Sequence, residues 1–301
     1  MNENKEQKIK SIEEFVKSVK IKVNDLKDNN ETANIWFRGE SNCKISTPLV
    51  PKIYRIYNDP TEVKAYEYAV GLENNIKSEF SIRSAPYLQK SNIQASKWNN
   101  YFLMQHYGLE TRLLDWTESA LIALYFAIEN LNTNDDCRVW ILNPFRLNKF
   151  STSKVHPQNK EIESLINPSD TEPTDLFDGL KKINLNELAR LYLDLEFNKQ
   201  KEGKKINFHP LALYPTILDE RMNTQSSCFT IFGNVVNGLL SIPNKENLLQ
   251  SILIDGTKRR TMKEELRWLG ISQKSIYPDL AGLSKSISDK YNIEHLILKK
   301  K

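Results

Sequence analysis

Cysteine is scarce in this chain. Cys43, Cys137 and Cys228 are odd in number and far apart, so they form no disulfide framework. A fold held by its own core in a reducing compartment follows, and the expected location is the cytoplasm. Long apolar runs are missing as well. The longest, 120–128, falls well short of the ~20 residues that a membrane span needs, so no membrane partner is expected. The opening MNENKEQKIK is polar throughout, unlike a secretory signal. The ten glycines form neither G-x-G-x-x-G nor G-x-x-x-x-G-K-[ST], which removes the common phosphate-cradling loops. A G-x-S-x-G nucleophile elbow is absent too. The histidines, His106, His156, His209 and His295, pair with no cysteine at zinc spacing, and no metal is expected from them. Carboxylates gathered by folding escape a test of spacing, so metal-dependent hydrolysis stays open at this point.

What is present is globular material. Hydrophobic residues make up 40%, aromatics 10% and charged residues 27%, which excludes wholesale disorder. The 301 residues suit one large domain or two of average size. Lys plus Arg number 42 against 38 Asp plus Glu, so the net charge of +4 dictates no partner and local clusters matter more. Those clusters are Lys199, Lys201, Lys204 and Lys205; Lys258, Arg259, Arg260 and Lys263; and the tail 299–301. Each is either a solvated surface or a contact for nucleic-acid phosphate.

Along the chain, apolar spacing predicts an amphipathic helix over 8–27 packed on the rest, with the first 33 residues forming an N-terminal unit. A short strand over 35–37 leads into Arg38-Gly39-Glu40. Helices follow over 60–82 and 91–107, with Gly108 where a left-handed cap belongs. Asp115-Trp116-Thr117-Glu118 has capping-box spacing and predicts a helix from there to about 130. Residues 137–142 read as a buried strand. The polar stretch 150–173 reads as a surface excursion, 175–197 as helical and 199–205 as a basic loop. Strands are expected over 211–217, 227–232, 238–242 and 252–254, and helices over 257–269 and 279–291. With no repeat and no linker, the fold class is α+β: one domain with a small mixed β core and surrounding helices.

Chemistry concentrates in residues 105–117. Gln105, His106, Tyr107, Thr111, Arg112, Asp115 and Trp116 crowd a tight turn between two predicted helices. A helix start there offers free N–H groups to an anion, and Arg112 suits a phosphate. Each residue has a plainer reading: Asp115 as a cap, His106 as a core histidine, Trp116 as core, Arg112 as a surface ion pair. Arg38, Gly39 and Glu40 form a second candidate site at the end of the first strand. Arg221 and Gln225, one helical turn apart, form a third.

Together these segments resemble the FRG domain family. The resemblance rests on Phe37-Arg38-Gly39, on Leu49-Val50-Pro51 before Arg55, and on the block from Gln105 to Thr117 with its apolar continuation. Arg221 and Gln225 before Phe229, and Ile276 to Leu283, complete it. It spans 34–283, and implies an FRG domain over 34–301 with a core at 34–142 and a C-terminal strand and helix region at 206–291. The opening strand is also similar to that of ADP-ribosyltransferases. That likeness implies an ADP-ribosyltransferase-like core and NAD as cofactor, while the FRG resemblance implies a role as an effector in phage defence. On that reading Arg38, Gly39, Gln105, Tyr107, Thr111, Arg112, Trp116 and Arg221 bind the nucleotide, with Tyr107, Trp116 or Phe229 as the wall for nicotinamide. His106, Asp115, Gln225 and Glu40 are the catalytic candidates. No E-x-E or Q-x-E motif follows Arg221, so Glu220 or Glu40 has to substitute. The alternatives are a non-catalytic module that binds a nucleotide or nucleic acid, and a nuclease built on Asp115 and Glu118. The protein partner is left unnamed by the residues.

Overall fold

The computed structural model describes residues 7–27, 34–45, 47–56, 63–91, 93–94, 96–155, 185–194 and 207–291. The basic loop 199–205, the tail 299–301 and most of the expected excursion lie outside them. In chain order the elements are α1 (Ile12–Leu26), β1 (Trp36–Glu40), a 3-10 turn (Lys52–Ile56), α2 (Val63–Lys90), α3 (Lys97–His106), β2 (Leu113–Thr117), α4 (Ala120–Ile128), β3 (Cys137–Leu142) and α5 (Pro144–Val155). They continue with α6 (Leu185–Asp194), β4 (Leu211–Leu213), α7 (Glu220–Thr224), β5 (Ser227–Ile231), β6 (Leu249–Ile254), α8 (Arg259–Trp268), α9 (Gln273–Ile276) and α10 (Leu280–Lys290).

The six strands form one sheet in the order β4-β5-β2-β1-β3-β6, and every pairing is antiparallel. The fold is therefore α+β, and the expected mixed core is corrected to an antiparallel one. Among the described residues parallel pairing is confined to an isolated bridge between Ile9 and Ile254, which seats the start of α1 beside the edge strand β6.

Side chains alternate cleanly across the strands. One face carries Phe37, Val139, Ile141, Ile252 and Ile254, which bury α1, α4 and α8. On the same face, Leu113, Phe229, Ile231, Leu211 and Leu213 bury α3 and α6. The opposite face, with Trp36, Leu114, Trp116, Trp140 and Leu142, packs against the 3-10 turn and the start of α2. Two separate helical groups thus share one face of the sheet, and the seam between them runs along β1 and β2.

The strand β2 was expected to be a helix start. Leu114 and Trp116 instead point into one core, with exposed Asp115 between them, and this period of two decides for a strand. The helix begins at Ala120, and Ser119 is its cap, accepting from the Ile122 N–H. The predicted strand 238–242 is a turn whose Leu239 and Ile242 are buried in the same core, so burial there mimicked a strand pattern. Residues 151–155 of the expected surface excursion complete α5. Ser151 and Thr152 are buried there because their hydroxyls donate to the carbonyls of Pro210 and Asn148. Gly108, at φ +87°, takes the left-handed conformation expected of it after α3.

Gly39 sets how closely α4 lies on β1. A Cβ at that position would stand 2.1 Å from the Ala123 carbonyl oxygen and 2.5 Å from the Ala127 nitrogen, both backbone atoms. Gly39→Ala is expected to cost about 1–3 kcal/mol in urea denaturation, the usual range for overpacking. Gly71→Ala, in open space within α2, should instead stabilise by up to about 1 kcal/mol. An unchanged midpoint for Gly39→Ala would contradict the close approach of α4.

Candidate functional site

Five residues register between β1 and β3, and five between β2 and β5, but β1 and β2 share only Phe37 opposite Thr117. Beyond that pair the two central strands part. The Asp115 carbonyl, which a continued ladder would use, accepts from Arg38 Nη1 at 2.7 Å. The same nitrogen lies 3.7 Å from Asp115 Oδ2. A cavity of about 480 Å³ opens at this parting, inside the usual range for ligand sites of about 300–1,000 Å³. Its lining comes from both faces of the sheet, with Phe126 and Phe229 from one and Lys52 and Arg55 of the 3-10 turn from the other.

Arg38, Gly39, Gln105, His106, Asp115, Trp116, Arg221 and Gln225 border this cavity. The three candidate sites of the sequence are therefore one place. Gln105, at the end of α3, donates to Asp115 Oδ2 at 2.9 Å and accepts from the Thr111 hydroxyl at 2.6 Å, so its amide is held in one orientation. Gln225 caps α7 and donates to the Ile276 carbonyl at 3.3 Å. Arg221 lies over the Tyr277 ring at 4.6 Å. His106 is nearly enclosed, and its Nε2 is 2.8 Å from Asp219 Oδ2.

Other candidates stand elsewhere. Arg112 is fully buried and bonded on every side, so it is no phosphate ligand. Its Nε meets Glu73 Oε2 at 2.8 Å and its Nη1 donates to the Phe232 carbonyl, while its backbone N–H donates to Glu73 Oε1. Burial alone would push the Glu73 carboxyl up, but Arg112, then Lys77 and the Tyr101 hydroxyl, outweigh it and hold the group below its ordinary value. Asp115 caps no helix, because it sits mid-strand, and the expected anion site at a helix start there does not exist. Trp116 borders the cavity, yet its indole is buried in the opposite core and donates to the Thr230 hydroxyl. Thr111 is buried beneath the turn, and Tyr107 is exposed outside the cavity against the edge of His106. Glu40 is buried and accepts from the Trp140 indole at 2.9 Å, so it does not reach the cavity. Glu220 does not border it either. Among the described residues Asp115 is the sole carboxylate in the lining.

Lys52, Arg55, Asp219 and Phe126 carry no site role in the sequence reading, although Arg55 and Phe126 belong to the segments of the resemblance. Arg55 follows Ile53 and Tyr54, both buried, and its Nε donates to the Val50 carbonyl at 2.8 Å. A cation inside an otherwise buried turn was the available signal. Burial depresses the Arg38 guanidinium, with Asp115 and Glu40 partly restoring it. Burial also depresses Arg55, and the charge of Arg38 adds to that. Among the described residues Arg38 Nε has no hydrogen-bond partner. The cavity is thus bordered by Arg38, Lys52, Arg55 and Arg221 against one carboxylate, with Lys52 engaged by Glu110 at 2.7 Å.

Residues 33–136 match the family model of the FRG domain, so the chain carries that domain there. This segment supplies the parting of β1 and β2, with Arg38, Arg55, Gln105, His106 and Asp115. Asp219, Arg221 and Gln225 come from outside it. No curated protein and no solved structure matches the chain.

The roles separate by stability. Arg112→Ala removes the main partner of the buried Glu73, leaving it Lys77 at 3.7 Å and the Tyr101 hydroxyl, and is expected to cost about 3–5 kcal/mol. Asp115→Ala, at a carboxylate with 58% exposure, should stay within about 0.5 kcal/mol, whereas Ser119→Ala should lose about 1 kcal/mol as a true cap. Urea denaturation of the three variants checks the order. A larger loss at Asp115 than at Ser119 would restore the capping role.

Proposed function

We propose that the cavity binds a phosphate-bearing nucleotide, NAD before others, and that the protein is an ADP-ribosyl-transferring enzyme acting as an effector in phage defence. The observation that carries this reading is the charge of the lining: four cations against one carboxylate, in a recess between two strands. Facing cations in a partly desolvated space raise each other's energy, and an anion relieves that cost. Arg38 and Arg55 are the pair for the pyrophosphate, since a guanidinium presents paired N–H donors to phosphate oxygens. Phe126 and Phe229 supply the apolar wall that a nicotinamide or adenine ring requires, in place of Tyr107 and Trp116. Asp115 takes the role foreseen for Glu40 or Glu220, a carboxylate near an oxocarbenium-like centre as nicotinamide departs.

The competing readings have less to stand on. In the cluster 258–263, Arg259 is buried among the carbonyls of Ser41, Ala127, Asn130 and Asp135, and Lys263 pairs with Asp289 at 3.3 Å. Two of its four cations are thereby committed, while Lys258 and Arg260 stay exposed. Among the described residues no group of three or more His, Cys, Asp or Glu is placed to hold a metal, so the nuclease reading finds no ligand set there. No described helix is long and apolar enough to cross a membrane.

Thermal melting tests the ligand. NAD is expected to stabilise the protein by about 2.7 kcal/mol at a hundredfold excess over Kd. The shift should vanish in Arg38→Ala and Arg55→Ala. A salt-sensitive shift with oligonucleotides alone would replace this reading with the nucleic-acid module.

A further inference from the structure

His106 closes the cavity at the end of α3, and its partner arrives from a distant segment. Asp219 Oδ2 stands 2.8 Å from Nε2, while Asp219 Oδ1 accepts from the Met222 N–H at 2.8 Å as the cap of α7. Both carboxylate oxygens are therefore committed, and the carboxylate is fixed in place. A neutral imidazole facing a carboxylate donates from that nitrogen, which leaves the lone pair on Nδ1. His106 borders the cavity. The charged groups that act on the ring are Asp219 and Arg221 from α7 and Asp115 from β2.

We propose that His106, oriented by Asp219, is the proton-accepting base of the cavity, and that water is an acceptor it activates. The inference rests on the nucleotide reading above. In the step, water gives its proton to His106 as its oxygen bonds to the anomeric carbon of the ribose next to nicotinamide. The bond from that carbon to the ring nitrogen breaks, and its electron pair leaves with neutral nicotinamide. The imidazolium then releases the proton to solvent. Burial lowers the imidazole's pKa from its ordinary value; Asp219 opposes that shift and Arg221 adds to it. Burial thus favours the neutral, proton-accepting form of the ring.

Nicotinamide release from NAD by the full chain, followed against pH beside NAD melting shifts, tests this. Release should rise with pH to a plateau, with its acid limb below the ordinary histidine value of about 6.5. His106→Gln should keep the melting shift, lose about 10²–10⁴-fold in kcat and lose the limb. Asp219→Asn keeps a capping side chain, so the fold is retained. It should lower kcat and move the limb to still lower pH, because the imidazolium loses its nearest counter-charge. Unchanged release and an unchanged limb in His106→Gln would overturn the base. A wild-type protein that shifts with NAD yet releases no nicotinamide would overturn the base and leave the binding reading standing. No shift at all would overturn both.

Discussion

Everything in this molecule that concerns the cavity hangs on the buried pair of Glu73 and Arg112. Glu73 sits within the long helix α2, and Arg112 is the residue before β2. The Tyr101 hydroxyl of α3 donates to the same carboxylate, and Arg112 reaches the Phe232 and Tyr192 carbonyls after β5 and on α6. Five segments therefore meet on one ion pair. Removing two charges from water costs several kcal/mol per ion, and only a fully bonded arrangement recovers it. Here both partners are fully bonded, so the entry of β2 is locked. Asp115, three residues on, is held at the parting with its carbonyl toward Arg38.

The parting of β1 and β2 is the second constraint. On one face α4 lies directly on β1 at Gly39, while α3 and α6 cover β2, β5 and β4. Between the strands these groups cover, β1 and β2, register is kept at Phe37 opposite Thr117 alone. Backbone groups freed there need partners, and the Arg38 guanidinium supplies one to Asp115. The cation is thereby both a repair of the sheet and the wall of a recess, which is why a strand-end arginine can serve structure and ligand together.

Much of this was legible in the residues. The strand over 137–142, the helices around 8–27, 257–269 and 279–291, and the left-handed Gly108 follow from local pattern. The structure also brings Arg38, His106, Asp115 and Gln225 to one cavity and leaves Arg112 out of it, a placement that no local pattern specifies. What failed has a common cause. Asp115-Trp116-Thr117-Glu118 obeys the spacing of a capping box, but only tertiary contacts reveal that Leu114 and Trp116 share a core on one side of a strand. Arg112 stands in the same dense block as true cavity residues. Its burial depends on Glu73, a carboxylate in a helix that showed only an apolar stripe. Asp219 gave no local sign beyond its place before α7, because its contact with His106 bridges distant segments.

The central claim is that Arg38 and Arg55 together receive the phosphates of a nucleotide at the parted strands. A crystal structure of the protein grown with NAD tests it most directly. The account predicts pyrophosphate oxygens about 2.7–2.9 Å from both guanidiniums, with the nicotinamide ribose toward Asp115 and His106. NAD bound elsewhere, or bound in the cavity with neither arginine on its phosphates, would contradict it.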